Sequence, residues 1–262
     1  MRFEITLQLN KSESGNIIPI NYQYELSSWI YKVLNEGDPV FSAWLHSKGY
    51  KSNEKPFRLF TFSRFFIDKF KVNGDRLAIL SDKVKFIISF LPDEIITPFI
   101  IGLFKDRHLV IGDKVSRASF DVINIQNLEI IEFTDKMVFK TISPVYVYYC
   151  IEPGARNKMH LSPDSGIYSQ MISGNLCEKY RALFKKEPDP DWTVTITPVN
   201  KPKAKIITIK TGTPQATQIK GYEYRFTVNG SPELIKIGYY GGFGGLNSQG
   251  FGCVERLETD NI

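Results

Sequence analysis

Apolar residues recur along this chain with two periods, one of two and one near 3.6, and the order in which they alternate predicts the architecture. Residues 1–7 alternate apolar and polar side chains as a half-buried strand does. Residues 22–35 then place Leu26, Trp29, Ile30, Val33 and Leu34 on one helical face, and residues 39–46 follow as a second, short helix. Extended segments are predicted at 57–63, 66–72, 76–80 and 84–91. Residues 92–104 read as a helix, with Pro92 suited to its first turn and Asp93 and Glu94 complementing the macrodipole. A strand at 122–133 closes the first half. The second half repeats the rhythm: a strand at 137–149, a helix at 162–185, strands at 192–199, 205–210 and 222–228, a helix at 232–238 and a short strand at 253–257. Each half therefore reads as βαββαβ, an α+β class with domains at residues 1–134 and 135–262. No long linker separates them, so the halves are expected to pack closely.

Length and composition agree with two cores. The 262 residues are 42% hydrophobic, which exceeds what one typical domain needs. The longest apolar stretch, 84–101, is broken by Lys85, Pro92, Asp93, Glu94 and Pro98, so no membrane span is expected. The N-terminus lacks the apolar core of a signal peptide, and a cytoplasmic protein is expected. Cys150, Cys177 and Cys253 are widely separated, as are His46, His108 and His160. None has the spacing of a zinc site, so no metal, cofactor or disulfide framework is expected.

Charge changes the picture more. The net charge is only +5, yet residues 46–76 hold eight Lys or Arg against three Asp or Glu, and residues 192–225 hold six against one. Such blocks favour a polyanionic partner. Near the C-terminus stand Gly242-Phe243-Gly244 and Gly250-Phe251-Gly252, separated by Gly245-Leu246-Asn247-Ser248-Gln249. Glycine reaches positive φ without strain, so a loop of this kind is able to turn its N–H groups toward a phosphate. A dinucleotide-binding fingerprint is excluded, because the residues after Gly252 read as a strand and not as a helix. An RNA-stacking sheet signature fails as well, with Cys253 and Arg256 where aromatics should stand and Gln249 where a base should. A purely structural turn competes with the phosphate-binding reading.

Candidate chemistry centres on His46. Histidine titrates near neutrality, with an ordinary pKa of about 6.5. Alone it reads as a polar helix end, and Tyr31, fifteen residues earlier, reads as core. Beside Lys48, Lys51, Lys55, Arg58 and Arg64 the pair becomes a proton-transfer group, a hydroxyl and cations suited to a phosphate in reaction.

The opening Met1-Arg2-Phe3, the stretch Asn21-Tyr22-Gln23-Tyr24-Glu25-Leu26 leading to Ile30-Tyr31, Leu45-His46, Leu59-Phe60-Thr61-Phe62-Ser63, Ile142-Ser143-Pro144-Val145 and the paired Gly-Phe-Gly units together resemble one known family. These are the CRISPR-associated endoribonucleases that process precursor CRISPR RNA, of the repeat-associated mysterious protein superfamily. The resemblance covers essentially the whole chain. It implies two tandem ferredoxin-like domains, CRISPR repeat RNA as partner, and other CRISPR-associated proteins of an effector complex as further partners. It also implies metal-independent cleavage by the RNA's own 2′-hydroxyl, leaving a 2′,3′-cyclic phosphate and a 5′-hydroxyl. By position, His46 takes the acid/base role with Tyr31 beside it.

Two departures from the family pattern matter. The third, cationic residue is usually a lysine just before the Leu-Phe-Thr-Phe-Ser strand; here Arg58 stands there, and Lys55 and Lys51 compete with it for the role. Arginine binds phosphate bidentately but is a poor proton donor. The glycine loop also lacks the family's usual Lys or Arg. RNA contact is then expected from Gly242, Gly244, Gly250 and Gly252, from Asn247 and Ser248, and from the second basic block, Lys201 and Lys203 included. Two competing readings are a non-catalytic RNA-binding subunit of the same superfamily and a general single-strand RNA binder. The second is disfavoured because no stacking aromatics stand at interpretable positions.

Overall fold

The structure is a computed structural model that describes residues 1–150, 158–211 and 213–258. The alternating N-terminal segment forms β1 (Arg2–Leu9), with Phe3, Ile5, Leu7 and Leu9 buried. Helix α1 (Gln23–Gly37) lays Leu26, Trp29, Ile30, Val33 and Leu34 into the same core. Asp38 ends it and caps α2 (Pro39–Ser47), accepting the Phe41 N–H at 2.9 Å with Pro39 in the first turn. Then come β2 (Phe60–Phe62), β3 (Lys83–Phe90), α3 (Ile96–Lys105), β4 (His108–Gly112) and β5 (Arg117–Asn127). They make an antiparallel sheet in the order β2-β3-β1-β5-β4.

The second half holds β6 (Lys136–Thr141), α4 (Tyr168–Phe184), β7 (Val194–Pro198), β8 (Arg225–Gly230), α5 (Pro232–Gly241) and β9 (Val254–Leu257). Its antiparallel sheet runs β7-β8-β6-β9. With β4 set aside as an added edge strand, both sheets place their strands in the order second, third, first, fourth. The molecule is two ferredoxin-like folds in tandem, as the repeated pattern predicted.

Several boundaries moved for identifiable reasons. The strand expected at 122–133 starts at Arg117 and stops at Asn127, because Asn127 pairs with Phe3 and β1 has almost no residues left to pair beyond it. The strand expected at 137–149 stops at Thr141; Pro144 has no N–H for a ladder, and pairing resumes in a small ladder between Tyr148–Cys150 and Lys158–His160. The 222–228 strand is two pieces: Thr217–Glu223 pairs with Lys203–Ile209 in a projecting hairpin, and Arg225–Gly230 enters the sheet. The 57–63 strand breaks at Leu59, whose φ of 54° turns the chain between Lys55–Phe57 and Phe60–Phe62. The helix expected from 162 begins at Tyr168, and that expected from 92 begins as a 3-10 turn, Asp93–Ile95. Strand β4 and the hairpin of Tyr50–Ser52 with Lys55–Phe57 had no signal in the pattern.

The halves are joined by buried polar contacts. The Arg2 guanidinium donates to the Val254 carbonyl and lies 4.3 Å over the Tyr239 ring. Thr61 donates its hydroxyl to the Phe251 carbonyl at 2.9 Å, which sets β2 beside the glycine-rich loop. No helix among the described residues is long and apolar enough to cross a membrane.

Candidate active site

Helices α1 and α2 meet at a sharp turn, and the Ser42 hydroxyl donates to the Tyr31 carbonyl across it at 3.3 Å. The turn brings the Tyr31 and His46 rings to 5.0 Å at 84°, an edge-to-face contact. His46 is exposed in the last turn of α2, whereas Tyr31 is half-buried and packs on Phe60. The left-handed turn at Leu59 aims Arg58 back at this pair, where its Nη2 donates to the His46 carbonyl at 2.5 Å. Burial raises the Tyr31 phenol above its ordinary value, and hydrogen bonds with Ser248 and Arg58 oppose that rise. The phenol therefore stays protonated at neutral pH, a hydroxyl donor beside an exposed imidazole and a guanidinium.

Ser248 belongs to the glycine-rich loop, which is more solidly packed than its composition suggested. Phe243 and Phe251 are core residues, and Asn247 bridges the two Gly-Phe-Gly units by donating to the Phe243 carbonyl at 3.3 Å and the Phe251 carbonyl at 3.1 Å. Gly242, Gly244, Gly250 and Gly252 all have positive φ and are buried. At Gly252 a Cβ would sit 2.1 Å from the Phe243 carbonyl oxygen, and at Gly244 2.3 Å from that of Tyr146. The N–H groups of Phe243, Gly245, Gln249, Gly250 and Gly252 donate to carbonyls within the protein, so these five do not turn outward as a phosphate cradle would require. Beneath the loop, Lys179 of α4 is fully buried and donates to the carbonyls of Gly242 at 2.5 Å and Gly244 at 2.8 Å. The Ser27 hydroxyl of α1 donates to the Ser248 carbonyl at 2.6 Å and ties the loop to the first half.

Tyr31, His46, Arg58 and Ser248 line one open cleft of about 1,690 Å³ between the halves. Lys55, Gly244 and Asn247 also border it. The other residues singled out in the sequence lie elsewhere. Lys48 is exposed beyond α2, Lys51 pairs with Glu54 at 3.1 Å, and Arg64 pairs with Glu223 at 2.7 Å. Lys201 and Lys203 are exposed at the base of the projecting hairpin, and Gly242, Gly250 and Gly252 are packed behind the loop's outer face. Lys55 is held in an ion pair by Glu178 of α4. Among the described residues, no three His, Cys, Asp or Glu side chains gather as a metal site.

Sequence reasoning missed Lys179, Ser27 and an aromatic wall at Tyr146, Tyr148 and His160. Lys179 did carry a signal: it interrupts the apolar stripe of Ile172, Leu176 and Ala182, where a charge has to be explained. The wall had none, because it forms only when the chain folds back beyond Pro144.

Two ferredoxin-like folds in tandem, with a Tyr-His pair on the first, a glycine-rich loop on the second and a cleft between them, define the class of protein. Residues 17–125 match the family described as CRISPR-associated protein Cas6, N-terminal, and residues 126–256 match CRISPR associated protein Cas6, C-terminal. The chain belongs to the Cas6 family, as its sequence resemblance implied. CRISPR-associated endoribonuclease Cas6 1 of Methanocaldococcus jannaschii is 31% identical over 263 residues, covering 100% of this chain and 94% of the relative. A solved structure described as the characterization of a Cas6-related gene from Pyrococcus furiosus gives a TM-score of 0.82 at 29% identity and covers 99% of both chains. Another, described as an RAMP protein binding different RNA substrates, gives 0.80 at 28% identity, covering 98% of this chain and 100% of its own.

Proposed function

We propose that this protein is an endoribonuclease that binds CRISPR repeat RNA and cuts precursor CRISPR RNA without a metal ion. The observation that carries the reading is the meeting of Tyr31, His46 and Arg58 in a cleft large enough for a nucleic-acid strand. A relative named as an endoribonuclease that matches the whole chain supports it. In the reaction, the 2′-oxygen of the nucleotide before the cut bonds to the phosphorus and the bond from phosphorus to the 5′-oxygen breaks. His46 takes the 2′-hydroxyl proton, and the Tyr31 hydroxyl supplies a proton at the departing 5′-oxygen. Arg58 is assigned the cationic role: one of its donors already orients it on the His46 carbonyl, and the rest of the fork is suited to the phosphate oxygens. Lys55, paired with Glu178, and Lys51, paired with Glu54, are less available. Residues 1–134 thus supply the reacting groups and residues 135–262 the opposing wall.

Single-turnover cleavage of repeat RNA, measured beside filter binding and with excess EDTA, tests this. His46→Ala should slow cleavage by roughly 10²-fold to 10⁴-fold with little loss of affinity, and chelator should change nothing. Full activity in His46→Ala, or loss of activity in EDTA restored by magnesium, would overturn the mechanism. A wild-type protein that binds repeat RNA and leaves it uncut would favour the non-catalytic subunit.

A further inference from the structure

The cleft that holds Tyr31 and His46 has an aromatic wall in the second half. Tyr146 is buried at its back, stacked on Tyr148 with ring centroids 5.5 Å apart at 25°, and 5.5 Å from the His160 ring. Tyr148 and His160 are directly opposed partners in their short antiparallel ladder, so their side chains share one face. Both are half-buried and both border the cleft. The glycine-rich loop connects this wall to the catalytic groups: Ser248 touches Tyr31 at one end, while at the other Gly245 donates to the Tyr146 carbonyl at 2.8 Å and the Phe251 ring lies 6.2 Å from that of Tyr146.

Polar atoms of the same cleft have unused hydrogen-bonding capacity. His160 Nδ1, Asn175 Oδ1 of α4 and Gln249 Oε1 of the loop are buried without a hydrogen-bond partner among the described residues. Phosphate has no use for a ring face, and an aliphatic side chain has none for amide and imidazole groups. An unpaired nucleobase has a π-face and a hydrogen-bonding edge together.

We propose that Tyr148 and His160, backed by Tyr146, form a stacking subsite for an unpaired base of the RNA whose phosphate sits at Arg58. The subsite deepens the RNA-processing reading and rests on it. A strand following the loop's outer face is held by its backbone at one end and by a base at the other, which fixes its register over the scissile bond. This recognition compensates for a loop that offers no cation.

The test uses the CRISPR repeat RNA of the genome that encodes this chain, with one abasic site walked along it, bound to the full-length protein. In the wild type, an abasic site at one or two neighbouring positions should weaken binding by roughly tenfold to a hundredfold. That sensitivity should vanish in Tyr148→Leu and persist in Tyr148→Trp, which keeps a ring. If thermal melting shows Tyr148→Leu to be misfolded, His160→Leu provides the same comparison. An abasic profile unchanged by these substitutions would overturn the subsite and leave the RNA-processing reading standing. A wild-type protein that binds no repeat RNA would overturn both.

Discussion

The two halves of this chain share one topology and differ in the kind of connection that each presents to the cleft. In the first half the connection from α1 to β2, residues 38–59, has grown to include α2, a hairpin and Arg58, and it presents exposed titratable groups. In the second half the connection from α5 to β9, residues 242–253, borders the cleft with Ser248 but buries its two Gly-Phe-Gly units, is tied back through its own backbone and is pinned by Lys179. On the proposed mechanism one connection supplies the groups that move protons and the other a surface that holds still. The sheets and helices beneath are alike, so the proposed chemistry is placed in connections positioned by a rigid scaffold.

Breaking the rigid side of this comparison should have the largest effect on stability. Gly252→Val places a branched side chain at φ +78°, with its Cβ 2.1 Å from the Phe243 carbonyl and 2.6 Å from Asn247 Nδ2. Strain and overlap together should cost at least about 3 kcal/mol in urea denaturation and abolish RNA binding with it. Gly174→Ala is the counterpart: it lies exposed in α4 with nothing within 4 Å of an added Cβ, and it should stabilise the protein by about 1 kcal/mol. A Gly252→Val protein as stable as wild type would show that the loop is not a fixed wall.

Much of the scaffold was legible because periodicity reports on burial. The stripe in α1 is legible because its five apolar residues all face one core, and both βαββαβ units follow from such patterns. Boundaries failed where the partner strand, and not the residue itself, decides the ending: Asn127 stops β5 only because β1 has almost run out. The site was half legible. Tyr31 and His46 stood out as residue types, and Arg58 by position, but the turn at Leu59 that brings Arg58 to them is a tertiary feature in a residue type that rarely adopts it. The loop is legible in its glycines and its backbone is not, because sequence shows which residues permit positive φ but not where the N–H groups point.

Lys179 sharpens the comparison through pH. Burial, with Lys55 adding to it and Glu178 opposing, pushes its ammonium well below the ordinary lysine value. A lysine whose folded pKa is depressed penalises folding fully below that pKa, and the penalty fades as pH rises toward the unfolded value of about 10.4. Lys179→Met removes the titration but leaves the Gly242 and Gly244 carbonyls without their donor, at a cost of about 1–3 kcal/mol. Thermal melts between pH 7 and pH 10 should therefore show the stability of wild type rising relative to that of the variant as pH increases. A relative stability that falls would mean that the two carbonyls hold the ammonium charge better than water does.

The smallest effect concerns how far the RNA path extends beyond the cleft. The projecting hairpin carries basic residues along its length, yet only its outer end reaches the site: Lys210 borders the cleft, whereas Lys203 pairs opposite Glu223 at the base. Glu223 already holds Arg64 at 2.7 Å and lies 3.9 Å from Lys205, so the base of the hairpin is partly neutralised. Each phosphate contact on a single strand contributes about 0.7 to the slope of log affinity against log salt. Lys210→Ala should lower that slope by about this amount and weaken binding a few-fold at low salt, and Lys203→Ala should alter neither beyond error. Both are exposed side chains, so stability should not complicate the comparison. Equal slopes for the two variants, each reduced, would carry the RNA over the outer surface of the hairpin. The second half would then act as a binding arm as well as a wall.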